Sequence, residues 1–375
     1  MIPFRLEPTN RRMRVLCHFN RKTVLWAALC PLLPSDEQRS SLAAVNTHII
    51  GAGLSGLIAA HLLAEAGQSV RMIDKGRSVG GRLATRRIGQ AVLDHGAQFF
   101  TARSERFTAA VDEWIEAGVV EEWCRGFDGD GDGYPRYRTA GGMNQLAKHL
   151  KASLPDSVDV LTSHRAASLI PLGDTFAISY DSGVRSPDES PSVILTSPVP
   201  QSLDILDSGG FRLPDNMAGI RELRYHAVVG LLTTLDQPAP FGDSGALQRP
   251  EDPVFTFSCD NGTKGISPVP AATFHAAHAL SAELWDRSDD EILEALKPHA
   301  DALLGEAKIV DVQVKKWRYA GPVEPWPDRC AVLATSPGTV VLAGDAFGGP
   351  KVEGAFLSGV AAAEAVLANA DQPPA

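Results

Sequence analysis

The sequence predicts an α/β fold, in which a doubly wound sheet with a β-meander is joined to a discontinuous α+β domain. A glycine-rich turn lies between a strand-like and a helix-like segment at residues 46–67. A second pattern of strand, turn and helix occupies residues 339–370. Short strand-like segments separated by turn residues fill much of the region between them, as a meander requires. These observations place two parts of one parallel sheet far apart along the chain.

The composition fits a folded, enzyme-sized protein and excludes several functional classes. The 375 residues are 44% hydrophobic and 21% charged, which is typical of globular proteins and sufficient for two or three domains. A net charge of −10 argues against nucleic acid or an anionic membrane as the main partner. The five cysteines form no C-x-x-C pair, so neither a zinc ribbon nor a disulfide scaffold is expected. We therefore expect a reduced, cytoplasmic setting.

Residues 1–45 differ from the rest of the chain in charge. They carry seven basic and three acidic residues, whereas the whole chain is acidic. The uncharged run at 23–34 is too short for a spanning helix, which needs about 20 residues. Two interpretations fit this segment: an export signal, or a disordered extension from an upstream start codon. We favour the extension, and we expect no stable membrane insertion.

The first motif is the glycine-rich turn that follows the strand-like segment 46–50. Its three glycines are Gly51, Gly53 and Gly56, and a helical pattern follows them. Gly51 permits a tight turn, Gly53 lets the backbone approach a pyrophosphate, and Gly56 allows close packing of helix and strand. The free N–H groups at the start of the helix then bind phosphate. The pattern predicts a Rossmann-type dinucleotide-binding unit.

A second strand-like segment at 69–73 ends at Asp74, eighteen residues after Gly56. A carboxylate at this position accepts hydrogen bonds from the hydroxyl groups of a ribose. Strand, turn, helix, strand and acid therefore occur in the order that a dinucleotide site needs. This order does not choose between NAD and FAD.

Two further motifs favour FAD. A basic motif with paired glycines follows the acid at 77–82, RSVGGR, and another motif follows at 93–101, LDHGAQFFT. In both, the sequence resembles the FAD-dependent amine oxidase superfamily, and more narrowly its bacterial renalase-like branch. The resemblance implies that Arg82 approaches the pyrophosphate and that the segment after it runs beside the isoalloxazine. A guanidinium suits this role because its N–H groups fork onto phosphate oxygens.

The region 339–370 resembles the closing motif of the same superfamily. A strand-like segment ends in Gly344-Asp345, and a helix rich in small residues begins near Gly354. The resemblance implies that Asp345 binds a ribityl hydroxyl group. It also implies that the positive end of the helix faces the flavin and stabilises its reduced anion.

The resemblance implies two domains, each discontinuous in sequence. The expected FAD-binding domain comprises residues 46–104, 138–202 and 330–370, and the expected substrate domain comprises 105–137 and 203–329. The strands expected to build the meander lie at 158–162, 166–170, 176–180 and 193–196. In the substrate domain we expect strands at 228–234 and 308–318 and helices at 275–280 and 289–304.

The resemblance also implies a set of residues that contact FAD, in the three motifs and at the adenine side of the meander. These are Gly51, Gly53, Leu54, Ser55, Gly56, Asp74, Lys75, Gly80, Gly81, Arg82, Ala166, Gly344, Asp345, Glu353, Gly354, Ala355 and Phe356. No metal site is expected. The segment Asp128–Gly133 resembles the opening of an EF-hand loop, but Thr139 stands where the loop needs glutamate, so we expect a solvated turn.

Three residues are candidates for contact with the reacting groups: His95, Gln98 and His226. His95 and Gln98 lie in the motif that the resemblance places beside the flavin, and His226 enters a strand of the substrate domain. The other histidines are scattered and form no Ser-His-Asp pattern.

Two departures from the family pattern bear on the substrate. Many amine oxidases have a lysine in the strand that begins near Tyr225, but no lysine occurs at 225–236. They also have a tyrosine just before the closing helix, but residues 351–353 read Lys-Val-Glu. Both departures disfavour ordinary amine oxidation. The renalase-like branch instead oxidises misreduced isomers of NAD(P)H with molecular oxygen, and loss of hydride from such a ring needs no general base.

The expected substrate is therefore a small molecule, a dihydronicotinamide nucleotide or an amine, with oxygen as the electron acceptor. Basic residues that are candidates for binding its phosphates are Arg86, Arg87, Lys315, Lys316 and Arg318. Solvated strand faces explain these residues equally well. Two alternatives remain open: a desaturase or porphyrinogen-type flavin oxidase, and a flavin-binding protein without catalytic activity.

Overall fold

The structure is a computed structural model that describes residues 46–127, 133–336 and 338–370. The basic segment 1–45 and the acidic residues of the EF-hand-like segment lie outside these ranges. The strands are β1 Asn46–Ile50, β2 Ser69–Ile73, β3 Thr85–Ile88, β4 Ala91–Asp94, β5 Val120–Cys124, β6 Arg136–Thr139, β7 Val158–Leu161, β8 Ala166–Leu172, β9 Thr175–Tyr180, β10 Arg185–Ser190, β11 Ser192–Leu195, β12 Tyr225–Leu235, β13 Ala246–Gln248, β14 Phe255–Asp260, β15 Ala271–Ala276, β16 Ile309–Pro322, β17 Ala331–Ala334 and β18 Thr339–Leu342. The α-helices are α1 Leu54–Glu65, α2 Glu105–Glu116, α3 Asn144–Ala152, α4 Val199–Ser208, α5 His278–Glu283, α6 Asp289–Leu304 and α7 Lys351–Ala370, and a 3₁₀ helix spans Asp215–Glu222.

The first sheet has the strand order β17-β18-β11-β1-β2-β7, and all its strands are parallel except β17. All residues of β11 and β18 are buried, which is typical of strands covered on both faces. From β1 the chain builds the sheet outward on one side through β2 and β7, and on the other side through β11 and β18. Open α/β sheets bind ligands at the carboxyl ends of the strands where this direction changes. The structure confirms the predicted α/β, Rossmann-type fold.

The meander consists of β8, β9 and β10, which pair in an antiparallel sheet. Of the four segments predicted for it, 166–170 and 176–180 correspond to β8 and β9. The prediction is wrong for the other two, because β7 and β11 pair in the parallel sheet instead. A short apolar strand reads the same in either setting, since its partners are distant in sequence.

The second sheet is antiparallel, with the order β13-β14-β15-β12-β16. Helix α6 packs against it through Ile292, Leu296, Ala300 and Leu304, which recur every four residues and are fully buried. A capping box between Ser288 and Glu291 begins this helix, which spans the predicted residues 289–304.

The helix predicted at 275–280 is wrong at its start. Residue His275 lies in β15, which pairs with β12 on one side and β14 on the other, and α5 begins only at His278. The alanine-rich sequence favours a helix locally, but pairing on both sides satisfies the backbone of this segment in the sheet.

The β3–β4 hairpin connects the two sheets. Its apolar residues Ile88, Ala91 and Leu93 pack against Leu232 and Ala271 of the second sheet. The hairpin therefore carries the 93–101 motif from the first glycine loops to the face of β12 and β15.

Helix α7 is the one described helix that is long and apolar enough to cross a membrane by length and composition. More than half of its apolar window is buried inside the protein, and Gly359 packs against the backbone of Ser55. These contacts are those of a core helix.

Candidate functional site

The glycine-rich turn lies at the carboxyl end of β1. Gly51 has a φ of +109°, and a side chain on it would collide with Thr196. A side chain on Gly56 would overlap the carbonyl of Gly51, so helix and turn pack as closely as the sequence predicts. A side chain on Gly53 would meet no atom within 4 Å. The turn therefore has one open side, at Gly53.

Asp74 organises this turn from the carboxyl end of β2. Its Oδ2 accepts a hydrogen bond from the N–H of Ala52 at 2.7 Å, and its Oδ1 accepts one from the N–H of Gly76 at 2.6 Å. Each carboxylate oxygen retains capacity for a further donor. The carboxylate can therefore hold the turn and a sugar hydroxyl group at the same time.

The paired glycines Gly80 and Gly81 pack onto the turn formed by Gly51, Gly53 and Gly56. The N–H of Gly80 donates to the carbonyl of Ala52 at 2.8 Å. A side chain on Gly81 would lie 3.4 Å from Cα of Gly53, where it would cover the open side of the turn. The pair thus forms the opposite wall of one cradle.

Arg82 pairs with Asp345 rather than standing free. Two hydrogen bonds of 2.6 Å join the guanidinium to the two carboxylate oxygens. Arg82 also donates to the carbonyls of Tyr319 and Ala320 at 3.2 and 3.4 Å. Burial opposes the positive charge, but the Asp345 carboxylate outweighs burial and raises the pKa of Arg82. The structure therefore brings together two residues that were predicted to act on different parts of FAD.

The closing motif meets the first motif across 300 residues. The hydroxyl of Ser55 donates to the carbonyl of Ala355 at 2.7 Å, and the N–H of Gly344 donates to Ser358 at 2.8 Å. A side chain on Gly354 would overlap the backbone of Gly349. Small residues are needed here because the start of α7 lies against the loop before it and against α1.

Several predicted cofactor residues have other partners. The carboxylate of Glu353 accepts from the N–H groups of Arg103 and Ser104, just before α2. Phe356 packs against the rings of Phe107 and Trp114 in the core.

The remaining predicted contacts are Lys75, Ala166 and Leu54. Lys75 donates to the side chain of Gln201 at 2.9 Å, and burial lowers its pKa. Ala166 begins β8 beside Tyr180, and Leu54 is buried at the start of α1. These positions leave only backbone or apolar contact for Ala166 and Leu54.

His95 and Gln98 lie together after the β3–β4 hairpin. His95 stacks on Trp317 with ring centroids 5.3 Å apart, and Trp317 donates to the carbonyl of His95 at 2.6 Å. Burial, followed by the charges of Lys315, His275 and Arg86, lowers the pKa of His95 to about 3. The imidazole is therefore neutral at physiological pH.

The side-chain amide of Gln98 has a fixed orientation. Its Nε2 donates to the carbonyl of Asp94 at 2.8 Å and lies 3.4 Å from that of Gly96. Its Oε1 is buried and has no hydrogen-bond partner among the described residues. Nε2 of Gln98 also lies 3.5 Å from Nε2 of His275. The carbonyls of Asp94 and Gly96 cannot donate to an oxygen, so Oε1 points away from them as an acceptor.

Two basic side chains, Arg86 and Lys315, act on His95. Arg86 on β3 donates to Gln313 on β16 at 2.8 Å, and Lys315 lies 5.7 Å from the centroid of the Trp317 ring. Burial and then Arg86 lower the pKa of Lys315. Arg86 and Lys315 are therefore two positive charges that repel each other beside His95. An anionic ligand would relieve this repulsion.

The other predicted basic residues have different surroundings. Strand alternation puts Lys316 and Arg318 on the opposite face of β16 from Lys315. There Lys316 donates to the carbonyls of Trp285 and Arg287, and Arg318 lies over the Trp285 ring.

His226 belongs to a separate pair. It stacks on His278 with centroids 4.1 Å apart, and burial followed by His278 lowers its pKa. In the part of the chain that the structure describes, no hydrogen bond or ring contact joins His226 to His95 or Gln98. The structure thus groups two of the three candidate residues and leaves the third apart.

Two residues of the site escaped prediction, Trp317 and Lys264. Lys264 forms a fully buried ion pair with Asp94 at 2.7 Å, across 170 residues. Charged residues are rarely buried without such a partner, but a lysine in a glycine-containing turn reads locally as solvated. Among the described residues, no cluster of three or more potential ligands could hold a metal ion.

The cradle fits FAD. Gly53 and Gly81 leave room beside the turn, and α1 begins with no side-chain cap on its N–H groups, so these are free to bind phosphate. Asp74 stands at the ribose position at the end of β2. When FAD is bound, residues 51–56, 74 and 80–82 would hold its dinucleotide part, and Asp345 with the start of α7 would face the flavin.

We expect the FAD to be tightly but not covalently bound. The loop and helix of the closing motif contain no cysteine or histidine to which a flavin could be tethered, and the nearest cysteine, Cys330, precedes β17. Purified protein should be yellow, and acid or heat should release the flavin into the supernatant. Flavin that remains with the precipitate would contradict the expectation.

Comparison with known proteins supports the same assignment. Residues 119–367 match the family of flavin-containing amine oxidoreductases, and residues 49–114 match the NAD(P)-binding Rossmann-like domain. One similar solved structure is a crystal structure from Exiguobacterium sp. 255-15, whose protein carries the provisional name protoporphyrinogen oxidase. Its sequence is 12% identical to this chain, with a TM-score of 0.66, and the match covers 88% of this chain and 100% of that one. An oxidoreductase from Methanosarcina mazei is 14% identical with a TM-score of 0.59, covering 85% and 100% of the two chains. At these identities the likeness to solved structures concerns the fold.

Proposed function

The chain belongs to the family of flavin-containing amine oxidoreductases and is an FAD-dependent oxidoreductase, and from this premise we propose that it oxidises misreduced dihydronicotinamide dinucleotides. The substrates would be the 2- and 6-dihydro isomers of NAD(P)H. Each isomer loses a hydride and becomes NAD(P)⁺, while oxygen takes up two electrons and two protons and becomes hydrogen peroxide. FAD supplies the two-electron acceptor between them.

The observation that carries this proposal is the group formed by Arg86, Lys315, His95 and Trp317. It combines the stacked rings of His95 and Trp317 with two basic side chains, one of which, Arg86, lowers the pKa of the other, Lys315, after burial. A dinucleotide offers the complementary features, a flat ring and a negatively charged pyrophosphate. His95, one member of this group, lies in the segment 93–101 that follows the residues of the glycine cradle in the sequence.

The protonation state of the site also suits this reaction. A dihydronicotinamide that loses hydride becomes an aromatic pyridinium, so no side chain has to remove a proton. His95, with its pKa lowered to about 3, is neutral and is a poor base at physiological pH. The residues need only hold the ring in place, and positioning alone accounts for large rate effects.

Oxidation of an amine is less well supported. The lysine expected in β12 of an amine oxidase is absent, and Lys264 is committed to Asp94 and to the carbonyl of Gln98. A porphyrinogen is the second candidate, because its carboxylates would also suit Arg86 and Lys315, and a structurally similar protein carries the corresponding provisional name.

The proposal is tested by reducing the bound flavin anaerobically with each class of donor. We expect the 2- and 6-dihydro isomers to bleach the absorbance near about 450 nm quickly, and air to restore it with formation of peroxide. Ordinary 4-dihydro NADH should react poorly, because its hydride carbon lies elsewhere on the same ring. Primary amines and polyamines should react slowly or not at all. Fast reduction by an amine or a porphyrinogen would overturn the proposal, and free FAD mixed with each donor is the control.

A further inference from the structure

The ion pair between Lys264 and Asp94 is buried next to the candidate substrate site. Both side chains have no exposed surface, and Nζ of Lys264 lies 2.7 Å from Oδ2 of Asp94. The same Nζ donates to the main-chain carbonyl of Gln98 at 2.6 Å. It also lies 5.1 Å from the centroid of the Trp123 ring. One buried cation therefore joins the loop after β14 to both ends of the segment 94–98.

Several hydrogen bonds hold the backbone of the loop that carries Lys264. The carboxylate of Asp260 accepts from the N–H groups of Gly262 and Thr263, and its other oxygen accepts from Ala239. The N–H of Lys264 donates to the carbonyl of Asp260 at 2.9 Å. These bonds fix the backbone from which the Lys264 side chain extends, and Asp94 and the carbonyl of Gln98 hold its ammonium group.

The segment that receives it is also fixed from several sides. Oδ1 of Asp94 accepts from the hydroxyl of Thr85 and from the N–H of Met143. Its carbonyl accepts from Gln98 Nε2, which leaves Oε1 of Gln98 as a buried acceptor without a partner in the described chain. A buried acceptor of this kind is costly unless a ligand or water supplies a donor.

We propose that Lys264 is a positioning residue that holds Gln98 so that its Oε1 accepts a hydrogen bond from the carboxamide of the nicotinamide ring. The carboxamide amino group is the one hydrogen-bond donor on that ring. His275 connects Gln98 to the ring-binding group formed by His95 and Trp317, because it lies 3.5 Å from Nε2 of Gln98 and bonds the backbone of His95. This inference rests on the proposed function for the identity of its ligand. Lys264 itself does not touch the substrate.

The test compares binding of NAD⁺ with binding of 3-acetylpyridine adenine dinucleotide, in which a methyl ketone replaces the carboxamide. Binding to the FAD-loaded enzyme is followed by the change in flavin absorbance. The wild type should prefer NAD⁺ by about tenfold, the value of one well-made hydrogen bond. Gln98→Met and Lys264→Met should each remove the preference, and the double variant should resemble Gln98→Met alone, because Lys264 acts through Gln98.

Stability is measured on every variant, since Lys264→Met leaves Asp94 unpaired and buried. If that variant does not fold, the paired variant Asp94→Asn/Lys264→Met removes both charges and replaces it. Lys316→Met is the control, because Lys316, like Lys264, donates to main-chain carbonyls but lies on the far face of β16. It should keep the tenfold preference.

Two results would overturn the inference: a wild type that binds both dinucleotides equally, or losses in the Gln98 and Lys264 variants that multiply in the double variant. These outcomes are separate from the proposed function, because they measure binding and not flavin reduction. An enzyme that prefers NAD⁺ but is not reduced by any dihydronicotinamide would refute the function and leave the role of Lys264 intact.

Discussion

Replacing Asp74 with alanine is expected to weaken FAD binding by about 10- to 150-fold. The variant loses a charge-assisted hydrogen bond to the ribose, which is worth about 1.5–3 kcal/mol, and each 1.4 kcal/mol is about a factor of ten. It also loses the two bonds by which the carboxylate holds the N–H groups of Ala52 and Gly76. The dissociation constant is measured by titrating the apoprotein with FAD and following flavin fluorescence.

Two further variants make this result interpretable. Asp74→Asn keeps one acceptor oxygen and should lie between the wild type and Asp74→Ala. Asp159→Ala removes a half-exposed carboxylate at the neighbouring strand β7, where it pairs with Arg71, and should leave FAD affinity unchanged. Unchanged affinity in Asp74→Ala, with the fold intact by circular dichroism, would mean that the carboxyl end of β2 does not face the cofactor.

The double variant Arg86→Met/Lys315→Met should raise the KM for a dinucleotide donor by about 30-fold. Arg86 is exposed and Lys315 partly exposed, so each charge contributes about 1 kcal/mol after allowance for solvent screening. The salt dependence of kcat/KM should weaken as well, because the attraction to phosphate is lost. Steady-state kinetics at two ionic strengths measure both effects.

Lys316→Met/Arg318→Met is the matched control, because it removes the same number of charges from the other face of β16. Its KM should stay close to that of the wild type. The pH profile gives a second check. Burial is the largest cause of the low pKa of His95, so this pKa should rise when the two cations are removed but remain below its ordinary value of 6.5. A KM that rises equally in both double variants would refute a specific role for Arg86 and Lys315.

The parts of the fold and site that could be predicted from sequence are those set by neighbouring residues. The turn around Gly51, the strand before it and the acid Asp74 follow from local sterics and hydrogen bonding, and the structure places them as expected. Helix α6 could be predicted because its capping box and apolar spacing are both local.

The remainder depends on contacts between distant residues. Strands β7 and β11 resemble meander strands in sequence, and only their pairing with β2 and β1 puts them in the parallel sheet. Phe356 packs in the core against Phe107 of α2, and Glu353 accepts from Ser104 just before α2, each about 250 residues away. Lys264 could not be identified because nothing in its own turn indicates that an aspartate 170 residues away will neutralise it.

The contact between Ser55 and Ala355 has a consequence for the synthesis of the protein. These residues are 300 positions apart, and a ribosome that adds about 5–20 residues per second needs about 15–60 s to make the intervening chain. For about the first half of that time β1 lacks its neighbour β11, and for about the second half β11 lacks β18. The turn around Gly51 is therefore synthesised well before the closing motif that follows β18. The complete FAD site forms only late in translation or after release, and flavin can be bound only then. Flavin supply and the rate of elongation would then both influence the yield of active protein in a cell.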